Sequence, residues 1–120
     1  MKVLRIVANL KAPSQKQALA KQFYEEVLGL RCLMDHGWIT TYGSDETMNV
    51  QMSIATEGGS GTPVPDLSIE VDDLEDTYKR MVAAGFSITY GPTSEPWGVR
   101  RFFVEDPLGK LVNILQHESA

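Results

Sequence analysis

The first residues of the chain sort into two interleaved sets. Within 2–10, Leu4, Ile6, Ala8 and Leu10 fall on one side and Arg5, Val7 and Asn9 on the other, the period of a half-buried strand. The period then changes: Leu19, Phe23 and Val27 recur at helical spacing, with Ser14 and Gln17 placed as a capping box and Gly29 as the stop. Residues 31–35, 38–42 and 48–56 read as three more strands, separated by turn residues at His36-Gly37 and Gly43-Ser44-Asp45. The predicted order of this half is βαβββ.

Gly58-Gly59-Ser60-Gly61-Thr62-Pro63 has the composition of a linker, and the pattern then repeats. A strand over 66–71 precedes a helix with Asp73 as its N-cap, an apolar stripe of Leu74, Tyr78, Met81 and Val82, and Gly85 as its end. Strands over 86–90, 99–104 and 110–117 complete a second βαβββ, the last two joined at Asp106-Pro107-Leu108-Gly109. Modules of about 60 residues are too small to be stable singly, so residues 1–57 and 65–120, joined by 58–64, are expected to pair into one α+β domain.

Composition narrows the function. The 120 residues are 42% hydrophobic and 22% charged, a balance suited to one compact domain. Eleven basic against 16 acidic residues give a net charge of −5, which argues against a nucleic-acid partner. The apolar runs are too short for a membrane span or a leader, so a cytoplasmic protein is expected. Cys32, the single cysteine, reads as a strand residue, not a reactive thiol.

If each helix covers the apolar face of its module's first strand (Leu4, Ile6, Ala8; Leu67, Ile69, Val71), the opposite face is polar. It carries Arg5, Val7 and Asn9, then Asn49, Gln51 and Ser53, then Asp66, Ser68 and Glu70, and finally Leu111, Asn113 and Leu115. Alternation fits a ligand cavity and a merely wet outer face equally well. Trp38 and Trp97 are candidates to stack on a flat ligand, the latter from a loop over 93–98 bordering the opening. Of Arg100 and Arg101, alternation lets one face the cavity. Glu70 is a candidate base, although an open rim position is favoured. His36 reads as a turn residue and His117 as exposed near the C-terminus.

Three stretches resemble the vicinal oxygen chelate superfamily, which includes glyoxalases, extradiol dioxygenases and bleomycin- and fosfomycin-resistance proteins. They are Phe23-Tyr24-Glu25-Glu26-Val27-Leu28-Gly29-Leu30, Ile69-Glu70-Val71-Asp72-Asp73-Leu74 and Phe103-Val104-Glu105-Asp106-Pro107-Leu108-Gly109. The resemblance, which covers essentially the whole chain, implies two tandem βαβββ modules curled into a cupped mixed sheet with helices on its outer face. It further implies a ligand in the cup and assembly as a homodimer.

In metal-using members the ligands are His, Gln or Glu on four strands, and the resemblance maps those positions to Arg5, Gln51, Asp66 and Asn113. Arg cannot donate a lone pair, and Asn and Gln carbonyls are weak ligands. No metal cofactor is therefore expected; Arg5 would pair with Asp66 or hold an anionic ligand. The candidate pocket residues are Arg5, Asn9, Trp38, Gln51, Asp66, Ser68, Glu70, Trp97 and Asn113. The reading is a small-molecule-binding protein. The alternatives are a metal-dependent lyase, isomerase or dioxygenase, and a cup filled by its own side chains.

Overall fold

Asp73 begins the best-formed helix of the molecule, as its position predicts. In the computed structural model, which describes every residue except Met1, Val3, Ile6, Asn49, Val50, Ser119 and Ala120, the Asp73 carboxylate accepts the backbone N–H of Asp76 at 3.0 Å. That bond satisfies a donor the first turn would leave free, and Glu75 and Asp76 add favourable charge there. The helix, α2, runs Leu74–Ala83. It ends where Gly85 takes φ +84° and Phe86 N–H returns to the Met81 carbonyl at 3.1 Å. Leu74 and Met81 are buried, but Val82, expected on the same stripe, is half exposed.

The helix lies on a four-stranded mixed sheet. We number the strands in chain order: β1 is Arg31–Asp35, β2 Thr40–Gly43, β3 Leu67–Glu70, β4 Ile88–Ser94, β5 Val99–Glu105 and β6 Leu111–His117. The second module is thus a complete βαβββ unit, with strand order β3-β6-β5-β4 and β3 parallel to β6. Phe102 and Val104 of β5 and Val112 and Ile114 of β6 face the helices and are fully buried. Their neighbours along each strand face the other way.

The first module is less regular. Its helical segment starts as a 3₁₀ turn, Ser14–Lys16, continues as α1, Gln17–Lys21, and widens into a π turn, Gln22–Val27. The Ser14 capping box is not made: Pro13 holds the N-cap position without a side-chain bond, and Gln17 Nε2 donates to the Gly37 carbonyl. Gly29, at φ +72°, does end the segment. Leu19 is 42% exposed, whereas Phe23 and Tyr24 are buried. Strands β1 and β2 form a separate antiparallel hairpin; Trp38, expected in its second strand, sits in the turn and is 80% exposed.

The described residues of 2–10 and of 48–56 are not in strands, in contrast to their alternation. Ile6 and Asn49, expected on the apolar and polar faces, lie outside the described residues. With no strand among the described residues of 2–10 to cover, Phe23 packs instead on the second module's core. Its ring meets Phe86 edge-on at 5.0 Å, and Leu4 stays 86% exposed.

One buried hydrogen bond ties two of the sequence motifs together. Tyr24 Oη donates to Asp106 Oδ2 at 2.7 Å, while Asp106 Oδ1 accepts the N–H groups of Leu108 and Lys110 and so shapes the Asp106–Gly109 turn. Burial first, and then the bond to Asp106, pushes the Tyr24 phenol well above its usual range, so it remains a proton donor at any ordinary pH. Packing of the two modules thus carries a specific polar contact as well as apolar burial.

Candidate functional site

The sheet face turned away from the helices carries Asp66, just before β3, Ser68 and Glu70 from β3, and Leu111, Asn113, Leu115 and His117 from β6, as alternation places them. From β5 it adds Arg101 and Phe103, and from β4 Tyr90, whose ring lies 5.3 Å from that of Phe103. Ser68 and Asn113 are register partners. Asn113 Nδ2 donates to Ser68 Oγ at 3.1 Å, and its buried Oδ1 has no hydrogen-bond partner. Asp66 has a structural task, its Oδ2 accepting Leu111 N–H at 2.8 Å where β3 begins. Glu70 pairs with His117 at 2.8 Å, and both are exposed, as the rim position favoured for Glu70 and the C-terminal exposure favoured for His117 would have it.

The strongest constellation centres on Arg101. Its guanidinium is 4% exposed and sits among the rings of Phe103, Trp97 and Tyr90, at 4.8, 5.0 and 5.4 Å from their centroids. It donates to the Gly58 carbonyl at 2.8 Å, to the Gly59 carbonyl at 3.3 Å, and to Glu95 Oε2 at 3.3 Å. Glu95, equally buried, also accepts Ser60 Oγ–H and Tyr90 Oη–H, each at 2.6 Å. Burial works to raise its carboxyl pKa, but the bonds from Ser60 and Tyr90 and the Arg101 charge outweigh it and hold the group below its ordinary value. The ion pair is therefore charged, satisfied on most sides and closed to solvent.

The segment with linker composition is the wall of this site. Gly58 N–H donates to the Thr62 carbonyl and Thr62 N–H to the Gly59 carbonyl, making a tight loop that Arg101 pins to the sheet. Gly59 is required there: φ is +84°, and a Cβ would lie 2.7 Å from the Trp97 ring. Between this loop and the sheet is an open cleft of about 470 Å³ lined by Ser60, Gly61, Thr62, Pro63, Thr89, Tyr90, Phe103 and Leu111. Its size suits a small molecule.

The expected site residues divide into groups. Ser68 and Asn113 come together and Asp66 and Glu70 stand on the same face, while Trp97, expected to border the ligand opening, packs against Gly59 and the Arg101 guanidinium and is not among the residues lining the cleft. Arg5 and Asn9 line a different cleft, of about 450 Å³, with Val7, Leu33, Met34, Ile39 and Thr41. The anticipated Arg5–Asp66 ion pair is not formed, and Gln51 is exposed. A guanidinium does occupy the sheet face, but it is Arg101 and its partner is Glu95. Alternation had allowed one of Arg100 and Arg101 to face inward; Arg100 instead reaches Glu75 at 2.7 Å on the helix side. Glu95, Tyr90 and Ser60 carried no signal, because their meeting depends on a folded loop.

The family model described as Glyoxalase/Bleomycin resistance protein/Dioxygenase superfamily matches residues 7–114, and the chain belongs to that superfamily. Among solved structures it is similar to TnmS3, an antibiotic binding protein from Streptomyces sp. CB03234. Identity there is 24%, over 85% of this chain and 87% of that one, with a TM-score of 0.61. TioX from Micromonospora sp. ML1 is 22% identical over 84% and 87% of the two chains, with a TM-score of 0.53. A protein of unknown function from Agrobacterium tumefaciens str. C58 is 18% identical over 97% and 96%, with a TM-score of 0.66. No curated protein matches the sequence.

Proposed function

We propose that this member of the glyoxalase and bleomycin-resistance superfamily binds a small molecule without a metal, in the cleft between the 58–63 loop and the second module's sheet. The observation that carries the reading is the preformed cleft itself, with Phe103 and Tyr90 among its walls and the neighbouring Arg101–Glu95 charges already matched. The similar fold of TnmS3, an antibiotic binding protein, agrees with it. Metal independence is supported by the donor set at the four family positions. Arg5 is a cation, one oxygen of the Asp66 carboxylate is engaged by Leu111 N–H, and Asn113 and Gln51 offer only neutral amide oxygens, which are weak ligands. Among the described residues no three His, Cys, Asp or Glu gather into a metal-binding group, and no helix is long and apolar enough to cross a membrane.

The proposal includes a homodimer. Among the described residues, nine of the twelve exposed large hydrophobic ones precede the 58–63 loop, Leu4, Met52 and Ile54 among them, and a second copy is the partner we assign to them. Metal analysis of protein purified without chelators tests the central reading. The expected result is no stoichiometric metal together with saturable binding of small aromatic probes. Stoichiometric zinc, iron, nickel or manganese would replace it with a metal-dependent lyase, isomerase or dioxygenase.

A further inference from the structure

We infer that the 58–63 cleft selects a flat aromatic ligand that donates hydrogen bonds, such as a phenol, and discriminates against carboxylates; the inference rests on the small-molecule reading of that cleft. It follows from where most of the polar protons of the lining already go. Ser60 Oγ–H and Tyr90 Oη–H both point at Glu95, and Thr62 Oγ1–H points at the Gly59 carbonyl at 2.7 Å. Each of these oxygens keeps lone pairs and has no proton left to give. The backbone has the same bias. Gly61 N–H donates to Glu57, Thr62 N–H to Gly59 and Leu111 N–H to Asp66, while Pro63 has no N–H; of the loop residues lining the cleft, Ser60 alone keeps an N–H without an acceptor among the described residues. Among the lining hydroxyls, Thr89 alone has no partner among the described residues and can turn its proton either way.

Charge points in the same direction. The nearest guanidinium, Arg101, is 4% exposed and engaged by Glu95 and two carbonyls; its remaining Nε–H has no partner but is buried, so the group offers an anion nothing at the cleft surface. A carboxylate would meet oxygen lone pairs and lose its hydration without replacement. A phenol or aromatic amine would find acceptors around its edge, with Tyr90, Pro63 and Leu111 against its faces and the buried Phe103 ring as the floor behind them. Glu95 is the positioning residue in this scheme, because its two accepted bonds fix the direction of the hydroxyl protons.

The test is a calorimetric comparison of 2-naphthol, 2-methoxynaphthalene and 2-naphthoate on the intact protein, with chemical-shift changes at Tyr90 and Trp97 locating the site. We expect 2-naphthol to bind about tenfold more tightly than 2-methoxynaphthalene, the worth of one or two neutral hydrogen bonds, and 2-naphthoate to be the weakest. Equal affinities for the first two, or tightest binding of 2-naphthoate, would overturn the donor inference and leave the small-molecule reading standing. Failure of all three to shift Tyr90 or Trp97 would overturn both. Glu95→Gln supplies a second arm: its amide N–H would donate to Ser60 or Tyr90, free a hydroxyl proton and leave Arg101 unpaired. In that variant the naphthol preference should fall severalfold and 2-naphthoate should gain; an unchanged order of affinities would count against the scheme.

Discussion

The two modules carry nearly the same alternation of apolar and polar residues, yet they finish differently. In the second, the buried positions Leu74, Met81, Phe102, Val104, Val112 and Ile114 close a core beneath one complete sheet. In the first, β1 is exposed at every position, and Leu4, Met52 and Ile54 are more than three-quarters exposed. What the first module gives the core is chiefly Phe23 and Tyr24, from a helix docked on its neighbour. Alternation alone does not make a sheet; a strand needs a paired edge and a covered face, which the second module supplies internally.

The largest test of this contrast pairs one substitution from each condition. Phe23→Ala should cost about 3–5 kcal/mol of unfolding free energy in denaturant titration, because the ring is fully buried. Leu4→Ala should stay within about 0.5 kcal/mol for the monomer and act instead on concentration-dependent dimerisation. A Leu4→Ala loss as large as that of Phe23→Ala at all concentrations would erase the distinction between the modules.

Next in size is Arg101→Ala, which strands the Glu95 carboxylate in a buried site and should cost about 3–5 kcal/mol. The intact pair has a pH signature of its own. The folded Glu95 pKa lies below its reference of 4.5, so the folded state holds the proton less tightly than the unfolded chain. Its contribution is complete above 4.5 and fades as pH falls through the lower folded value. Urea midpoints measured across that range should decline in the native protein and decline less in Glu95→Gln.

Tyr24→Phe probes the joint between the modules. Losing the hydroxyl takes one of three bonds from the buried Asp106, and a drop of about 1.5–3 kcal/mol is expected by thermal or chemical denaturation. Asp73→Ala, wholly within the second module, should cost about 1 kcal/mol through its lost N-cap and leave the cleft unaltered. Ligand binding that weakened in Asp73→Ala as much as in Glu95→Gln would mean that the cleft reports global stability and not its own geometry.

The second module was legible because its signals are local and agree with one another. An N-cap Asp, a glycine stop, an Asp-Pro-Leu-Gly turn and two-residue alternation each act within a few residues, and all point to the same fold. They also placed Ser68, Glu70 and Asn113 on one face. The first module misled at Ser14, whose cap was displaced by Pro13, and at Trp38, which left its strand for the turn. The site was legible only in part. The inward cation was anticipated in kind and located at Arg5, whereas the folded chain uses Arg101.

By itself, the sequence determined the α+β class, the second module's elements and the polar character of one sheet face, because hydrophobic periodicity and capping are short-range properties, and three motif stretches carried the resemblance to the family that the match over 7–114 shows. Only the tertiary structure decided that a glycine-rich segment read as a linker is a wall, held by Arg101 across more than forty residues. It also decided that Glu95 collects the protons of Ser60 and Tyr90. Such contacts depend on how loops close over a finished sheet, and a buried guanidinium must find its acceptors wherever the folded chain presents them.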